Sequence, residues 1–264
     1  MFDFLLGDVM RVPFIAGNWK MHKTIEEAVV LAKELVAKIK NETGKKIMIA
    51  PPFTALYAVS SVIKESAVLL GAQNMAAEEK GAHTGEISVH MLKDVGVSYI
   101  ILGHSERRHV YGEKDQLINK KVKLALSKDV NVILCVGETL EERERGIAEK
   151  VVEEQLVNGL EDVEIQSLKQ ITIAYEPVWA IGTGKTATPE DADAMHEYIR
   201  KVITNLYDKQ TAAALIIQYG GSVKPQNIKG LMAKENIDGA LVGGASLESD
   251  TFLPIVQFDD GETQ

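Results

Sequence analysis

The sequence predicts an α/β fold, a closed (β/α)8 barrel in a single domain, and three observations carry that prediction. Short β-branched runs alternate with longer amphipathic segments along the whole chain, and the short runs number eight. Several of them (IMIA, VILCV, ITIAY) are apolar without interruption, as parallel strands covered on both faces require. The length of 264 residues suits a barrel of about 250. Eight βα units in that length favour closure over an open doubly wound sheet.

In chain order the predicted strands are 12–16, 46–50, 68–72, 99–102, 131–136, 171–175, 215–219 and 239–242. The first helix opens at Thr24, with Glu27 three residues on at capping-box spacing, and Gly44 follows its end. Thr188 followed by Pro189, Glu190 and Asp191 opens another, with proline in the first turn and acids near the positive end. Helices at roughly 115–128, 139–159 and 225–233 complete most of the set. Pro254 falls inside the expected last helix, where the missing N–H should bend or shorten it. No Pro- or Ser-rich linker divides the series. The expected organisation is an N-terminal extension at 1–9, a barrel domain at 10–258 and a short acidic tail at 259–264.

Composition narrows the function. Apolar residues make up 45% and charged residues 25%, a globular balance. Lys plus Arg total 29 and Asp plus Glu 38, giving −9. That balance argues against a broad nucleic-acid-binding or anionic-membrane surface while leaving room for a local basic pocket. The one cysteine, Cys135, allows no internal disulfide, and there is no cysteine cluster for structural zinc. No uncharged apolar run reaches the ~18 residues of a membrane span. The N-terminal stretch MFDFLLGDV carries Asp3 and Asp8 and lacks a basic region, a poor secretion signal. The expectation is a cytoplasmic protein with neither nucleic acid nor membrane as partner.

Chemistry in such a barrel sits where the strands end. Gly17-Asn18-Trp19-Lys20 follows the first strand, and Gly103-His104-Ser105-Glu106-Arg107-Arg108 the fourth. Glu176-Pro177-Val178-Trp179 follows the sixth. A single Lys, His or Glu in such a place is an ordinary solvated residue. Three at one rim would converge on one mouth. Gly182, Gly184, Gly221, Gly243 and Gly244 follow the last three strands, where loop amides can approach a phosphate with no Cβ in the way.

The stretches AGNWKM (16–21), GAQNMAAEEKGAHTGEIS (71–88), ILGHSERR (101–108), ILCVGETLEER (133–143), AYEPVWAIGTGKTAT (174–188), YGGSVKP (219–225) and LVGGASL (241–247) together resemble the triosephosphate isomerase family, whose fold is the TIM barrel. The resemblance runs from about residue 12 to about 258. It implies proton transfer between adjacent carbons of dihydroxyacetone phosphate and glyceraldehyde 3-phosphate through an enediol(ate), with no cofactor and no metal. By the same resemblance Glu176 is the base, His104 and Asn18 donate hydrogen bonds to the substrate oxygens, and Lys20 supplies positive charge, paired with Glu106. Asn18, Lys20, Gly182, Ser222, Gly243 and Gly244 match substrate contacts. Segment 177–187 resembles a mobile lid: Pro177, Val178 and Trp179 form one hinge, Ala180, Ile181, Gly182, Thr183 and Gly184 the body, and Lys185, Thr186 and Ala187 the other hinge. The turn 73–88 resembles a dimer loop, with Thr84, Gly85 and Glu86 at the interface of a homodimer.

Other readings fare worse. Gly182-Thr183-Gly184-Lys185-Thr186 suggests a phosphate-binding P-loop, but that motif needs glycine where the chain has Trp179. His104-Ser105-Glu106 cannot form a hydrolase relay from adjacent residues, and no Gly-x-Ser-x-Gly elbow exists. A catalytically dead phosphosugar-binding barrel would not be expected to keep every matched polar group. His83 with His90, and His104 with His109, fit no standard zinc spacing. Cys135, in an apolar strand, reads as a buried structural thiol, and 141–145 as a solvated face with i,i+4 pairs.

Overall fold

The computed structural model describes residues 11–40, 44–180 and 187–259. Eight parallel strands close in sequence order into a barrel: β1 (Phe14–Asn18), β2 (Lys46–Ala50), β3 (Val68–Ala72), β4 (Tyr99–Leu102), β5 (Asn131–Val136), β6 (Ile171–Tyr175), β7 (Ile216–Tyr219) and β8 (Gly239–Val242). Closure is direct, with Phe14 opposite Gly239 and Gly17 opposite Val242. Among the described residues no helix is long and apolar enough to cross a membrane.

Two apolar layers follow from the period-two alternation of side chains. Outward-facing Ile15, Ile47, Ile49, Ile100, Leu134 and Ile173 pack against the surrounding helices. Inward-facing Phe14, Ala16, Met48, Ala50, Tyr99, Ile101, Ile133, Cys135, Ala174 and Leu241 fill the barrel. The inward line of β1 (Phe14, Ala16) continues two residues on to Asn18, and that of β6 (Ala174) to Glu176. The sequence thus raises polar groups from the floor of an apolar plug. Cys135 is wholly buried in that plug, and burial pushes its thiol pKa up.

The helix starts legible in the sequence are present. Thr24 Oγ1 accepts from Glu27 N–H at 3.4 Å while the Glu27 carboxylate accepts from Thr24 N–H at 2.7 Å, opening the helix Ile25–Lys38. Thr188 and Asp191 make the same reciprocal pair ahead of Pro189–Leu206. Four expectations are corrected. β1 begins two residues later than its β-branched run suggests, because its pairing with Lys46 and Gly239 starts at Phe14; Val12 is left exposed. The predicted helix 139–159 is two helices, Leu140–Glu144 and Ala148–Gly159, broken near Gly146, whose φ of +69° leaves the helical region. The predicted 225–233 shortens to Ile228–Met232, since Asn227 instead ties a turn, accepting from Lys224 N–H and donating to the Ser222 carbonyl. Asp259, expected in a frayed tail, is held by Lys45. Pro254 lies inside the helix Ser249–Val256, which ends two residues beyond it, and the barrel closes regardless. Residues 1–9 lie outside the described residues.

Candidate active site

At the C-terminal end of the strands a cavity of about 340 Å3 is lined by Asn18, Lys20, His104 and Glu176 on one side and by Gly220–Lys224, Leu241 and Gly243–Ala245 on the other. Four residues from three separate strand ends therefore meet in one mouth. Ser222, Gly243 and Gly244 line the far wall. Pro177, Val178, Trp179, Ala180 and Ala187 are described, whereas Ile181, Gly182, Thr183, Gly184, Lys185 and Thr186 lie outside the described residues. Thr84, Gly85 and Glu86 are exposed on the turn after β3 and do not line the cavity.

Lys20 is held by backbone geometry. Its φ of +51° lies in the left-handed region, which costs a non-glycine residue about 1–2 kcal/mol. Its N–H donates to Asn18 Oδ1 at 3.1 Å, and its carbonyl accepts from Gln73 Nε2 at 2.8 Å. Gln73 also donates to the Ala50 carbonyl at 2.9 Å, so the turn after β3 fixes the loop after β1 to the end of β2. The Lys20 ammonium pairs with Glu106 Oε1 at 2.7 Å.

His104 caps the short helix Ser105–His109. Its Nδ1 accepts from Glu106 N–H at 3.2 Å, which leaves the ring proton on Nε2, 3.0 Å from Glu176 Oε1. Burial pulls its pKa down, but the Glu176 carboxylate outweighs burial and the net direction is up. The helix start favours a neutral ring; the resting carboxylate opposes it.

Glu176 is buried, and its carboxylate rests on the same helix start. Oε2 accepts from Ser105 N–H at 2.9 Å, and Oε1 from the Ser105 hydroxyl at 3.3 Å as well as from His104. Burial pushes its pKa up; His104, the Ser105 N–H and Lys20 more than offset this, so the carboxylate sits below its ordinary range. The acid is dry yet well solvated by protein donors. Room for its side chain comes from Gly220, where a Cβ would lie 2.8 Å from Glu176 Cγ.

Several contributors escaped the sequence reading. Ser105 carries no sequence signal beyond its adjacency to His104, yet both its N–H and its hydroxyl donate to Glu176. Glu138 is fully buried beneath the 177–180 turn: its Oε1 accepts from Trp179 Nε1 at 2.8 Å, Tyr175 Oη at 3.1 Å and Arg143 at 3.3 Å. The Arg143 guanidinium also lies 4.7 Å above the Trp179 ring. Gly137 admits the backbone of Glu176 so closely that a Cβ there would meet its carbonyl oxygen at 1.8 Å. Among the described residues no group of three or more His, Cys, Asp or Glu side chains converges as a metal site.

The family model described as Triosephosphate isomerase matches residues 13–259, nearly the whole barrel. The chain belongs to the triosephosphate isomerase family. Triosephosphate isomerase of Treponema denticola is 60% identical over 252 residues, covering 95% of this chain and all of that protein. Triosephosphate isomerases of Carboxydothermus hydrogenoformans and Caldanaerobacter subterraneus subsp. tengcongensis are 55% and 54% identical, each match covering 94% of this chain and 99% and 100% of the relative. The cavity at the C-terminal ends of the strands combines a carboxylate, an imidazole and an ammonium with a wall rich in glycine.

Proposed function

We propose that this mouth performs the family's reaction with Glu176, His104, Lys20 and Asn18 as its working groups. As a triosephosphate isomerase, the chain interconverts dihydroxyacetone phosphate and D-glyceraldehyde 3-phosphate, a step of glycolysis and gluconeogenesis. The observation that carries the residue roles is the convergence of Glu176, His104 and Lys20 on one 340 Å3 cavity.

The chemistry asks for removal of a weakly acidic C–H proton while charge appears on the neighbouring oxygen. Glu176 turns away from Ser105 toward the substrate, sheds the donors that depress its pKa and takes the proton. The C–H electron pair becomes the enediolate double bond, and the carbonyl oxygen takes the charge. His104 Nε2–H, Asn18 and the Lys20 ammonium stabilise that oxygen in a site already ordered around it. With Glu176 gone from its side, burial, the Glu106 N–H and the Lys20 ammonium favour the neutral His104 ring, against the Glu106 carboxylate alone. The hydroxyl proton on the first carbon's oxygen passes by way of His104 Nε2 to the charged oxygen, and Glu176 returns its own proton to the adjacent carbon, so that a carbonyl forms on the first. Glu106 orients Lys20. The phosphate sits against the amides of Ser222, Gly243 and Gly244, completed by Gly182 as the lid 177–187 closes and excludes water.

A homodimer is part of the same reading. Met21, Phe53, Val110 and Tyr111, which follow β1, β2 and β4, are exposed apolar side chains at the same end of the barrel as the exposed turn that carries Thr84, Gly85 and Glu86. A self-complementary contact would cover them. A cytoplasmic location suits an acidic chain with one buried, unpaired thiol, and cell fractionation checks it.

Glyceraldehyde 3-phosphate isomerisation by the wild type and by Glu176→Asp tests the base. The shorter side chain keeps the charge but withdraws it by one methylene, about 1 Å or more, which should lower kcat by about 10²-fold or more. Equal rates in the two proteins would remove Glu176 from the role.

A further inference from the structure

The opposite end of the barrel, where the strands begin, holds a second cavity of about 440 Å3. Side chains that point into the barrel form its floor. Met48 belongs to the inner layer, so alternation along β2 turns Lys46 inward two residues earlier. Thr172, two before inward Ala174, behaves likewise, beside inner residues Tyr99 and Ile216. The wall comes from the 3-10 turn Ile165–Gln170 and the end of the helix Lys209–Ala214. Leu168 and Leu215 make it apolar, and Lys169 stands at its edge.

The electrostatics of this cavity are unusual for a chain of net charge −9. No carboxylate lines it, while Lys46 and Lys169 both do. Several lysines elsewhere are paired, among them Lys20 with Glu106, Lys45 with Asp259 and Lys121 with Glu113. Among the described residues the side chains of Lys46 and Lys169 have no hydrogen-bond or ion-pair partner. The acids on the neighbouring wall are engaged, Glu164 by Gln166 and Asp208 by the Thr211 N–H. Two unneutralised ammonium groups beside an apolar floor attract an anion that carries an apolar body, and the volume lies within the ~300–1,000 Å3 of small-molecule sites.

We propose that this cavity is a second binding site of the protein, for a small organic anion of the aromatic carboxylate class. The carboxylate meets Lys46 and Lys169, and the ring lies against Tyr99, Leu168 and Ile216. The site is at the far end of the barrel from the isomerase mouth, and its occupant does not compete with triose phosphate.

The test is a calorimetric titration of the full chain with 2-naphthoate, with inorganic phosphate present to fill the isomerase mouth. One saturable site is expected, weakened about tenfold by Lys46→Met and by Lys169→Met, each of which removes one charge-assisted contact. The neutral 2-naphthamide should bind at least about tenfold more weakly than the acid, and isomerase kcat/KM should be unchanged in both variants. Lys169 is exposed on a turn, so its variant keeps the test decisive should Lys46→Met lower stability. Absence of saturable binding to millimolar concentration, binding unaltered in both variants, or displacement of the probe by phosphate would each overturn the proposal.

Discussion

Gly137→Ala places one methyl group where the backbone of Glu176, the proposed base, leaves no room. A Cβ at 137 would sit 1.8 Å from the Glu176 carbonyl oxygen and 2.6 Å from its carbonyl carbon. Real Cβ contacts do not fall under 3.0 Å, so one backbone must retreat by at least 3.0 − 1.8 = 1.2 Å. Gly137 is anchored on both sides, its N–H to Gln155 Oε1 at 2.7 Å and its carbonyl to Gln155 Nε2 at 3.1 Å. Glu176 therefore takes much of the displacement. A shift of ~1 Å in a reacting group costs on the order of 10²-fold in rate, or about 2.7 kcal/mol of barrier. Steady-state isomerase kinetics should show kcat/KM falling by about that factor. Gly239→Ala supplies the control, because its Cβ would meet the Phe14 carbonyl oxygen at 1.9 Å at the opposite end of the barrel. It should lower the unfolding midpoint and spare kcat/KM per folded molecule. A Gly137→Ala enzyme within threefold of wild type, or an equal kinetic loss in Gly239→Ala, would refute the argument.

Three further outcomes follow from the same geometry and from the family reading. Deleting 181–184 should lower turnover sharply and raise methylglyoxal formation, since an enediolate open to water tends to eliminate phosphate; an unchanged product ratio on chromatographic analysis counts against the lid. Light scattering should give about twice the chain mass, 2 × 28.9 = 57.8 kDa, and activity should fall on dilution as the dimer dissociates; a fully active monomer contradicts the interface. His196 is buried and its pKa is pushed down to about 3 by burial, against an ordinary value near 6.5. The unfolded chain thus binds a proton that the folded chain refuses between those values, so this stability is complete above pH ~6.5 and declines at ~1.4 kcal/mol per unit as pH falls toward 3. The difference in urea stability between wild type and His196→Gln, at fixed protein concentration, should shrink accordingly below pH 6.5; a flat difference down to pH 4.5 disproves the burial cause.

What could be seen in the sequence was what local chemistry controls. Strands β2 to β6 and β8 stood out because a strand covered on both faces must be apolar throughout, and the Thr24 and Thr188 caps because a cap is complete within four residues. The start of β1 is not legible locally because it is set by pairing with Lys46 and Gly239, far along the chain. The same holds for the site. Glu176, His104 and Lys20 were identifiable as polar groups at strand ends. Glu138 was invisible: an acid in a loop reads as solvated, and its partners Tyr175 and Trp179 lie 37 and 41 residues away. Gln73 and Gly137 likewise act through contacts that no local pattern encodes.

The tether from Gln73 to the Lys20 carbonyl has a consequence for how this enzyme is assembled. Gln73 opens the exposed turn that follows β3, the turn we propose as the dimer contact, and its carboxamide donates to the Lys20 and Ala50 carbonyls. The Lys20 backbone is thus held from outside its own loop, by a residue whose neighbours on one side face solvent and in the proposed dimer would be covered. In that dimer, steadying the turn and steadying the Lys20 charge would be one mechanical event, with quaternary contact and alignment of the proposed site sharing a single peg.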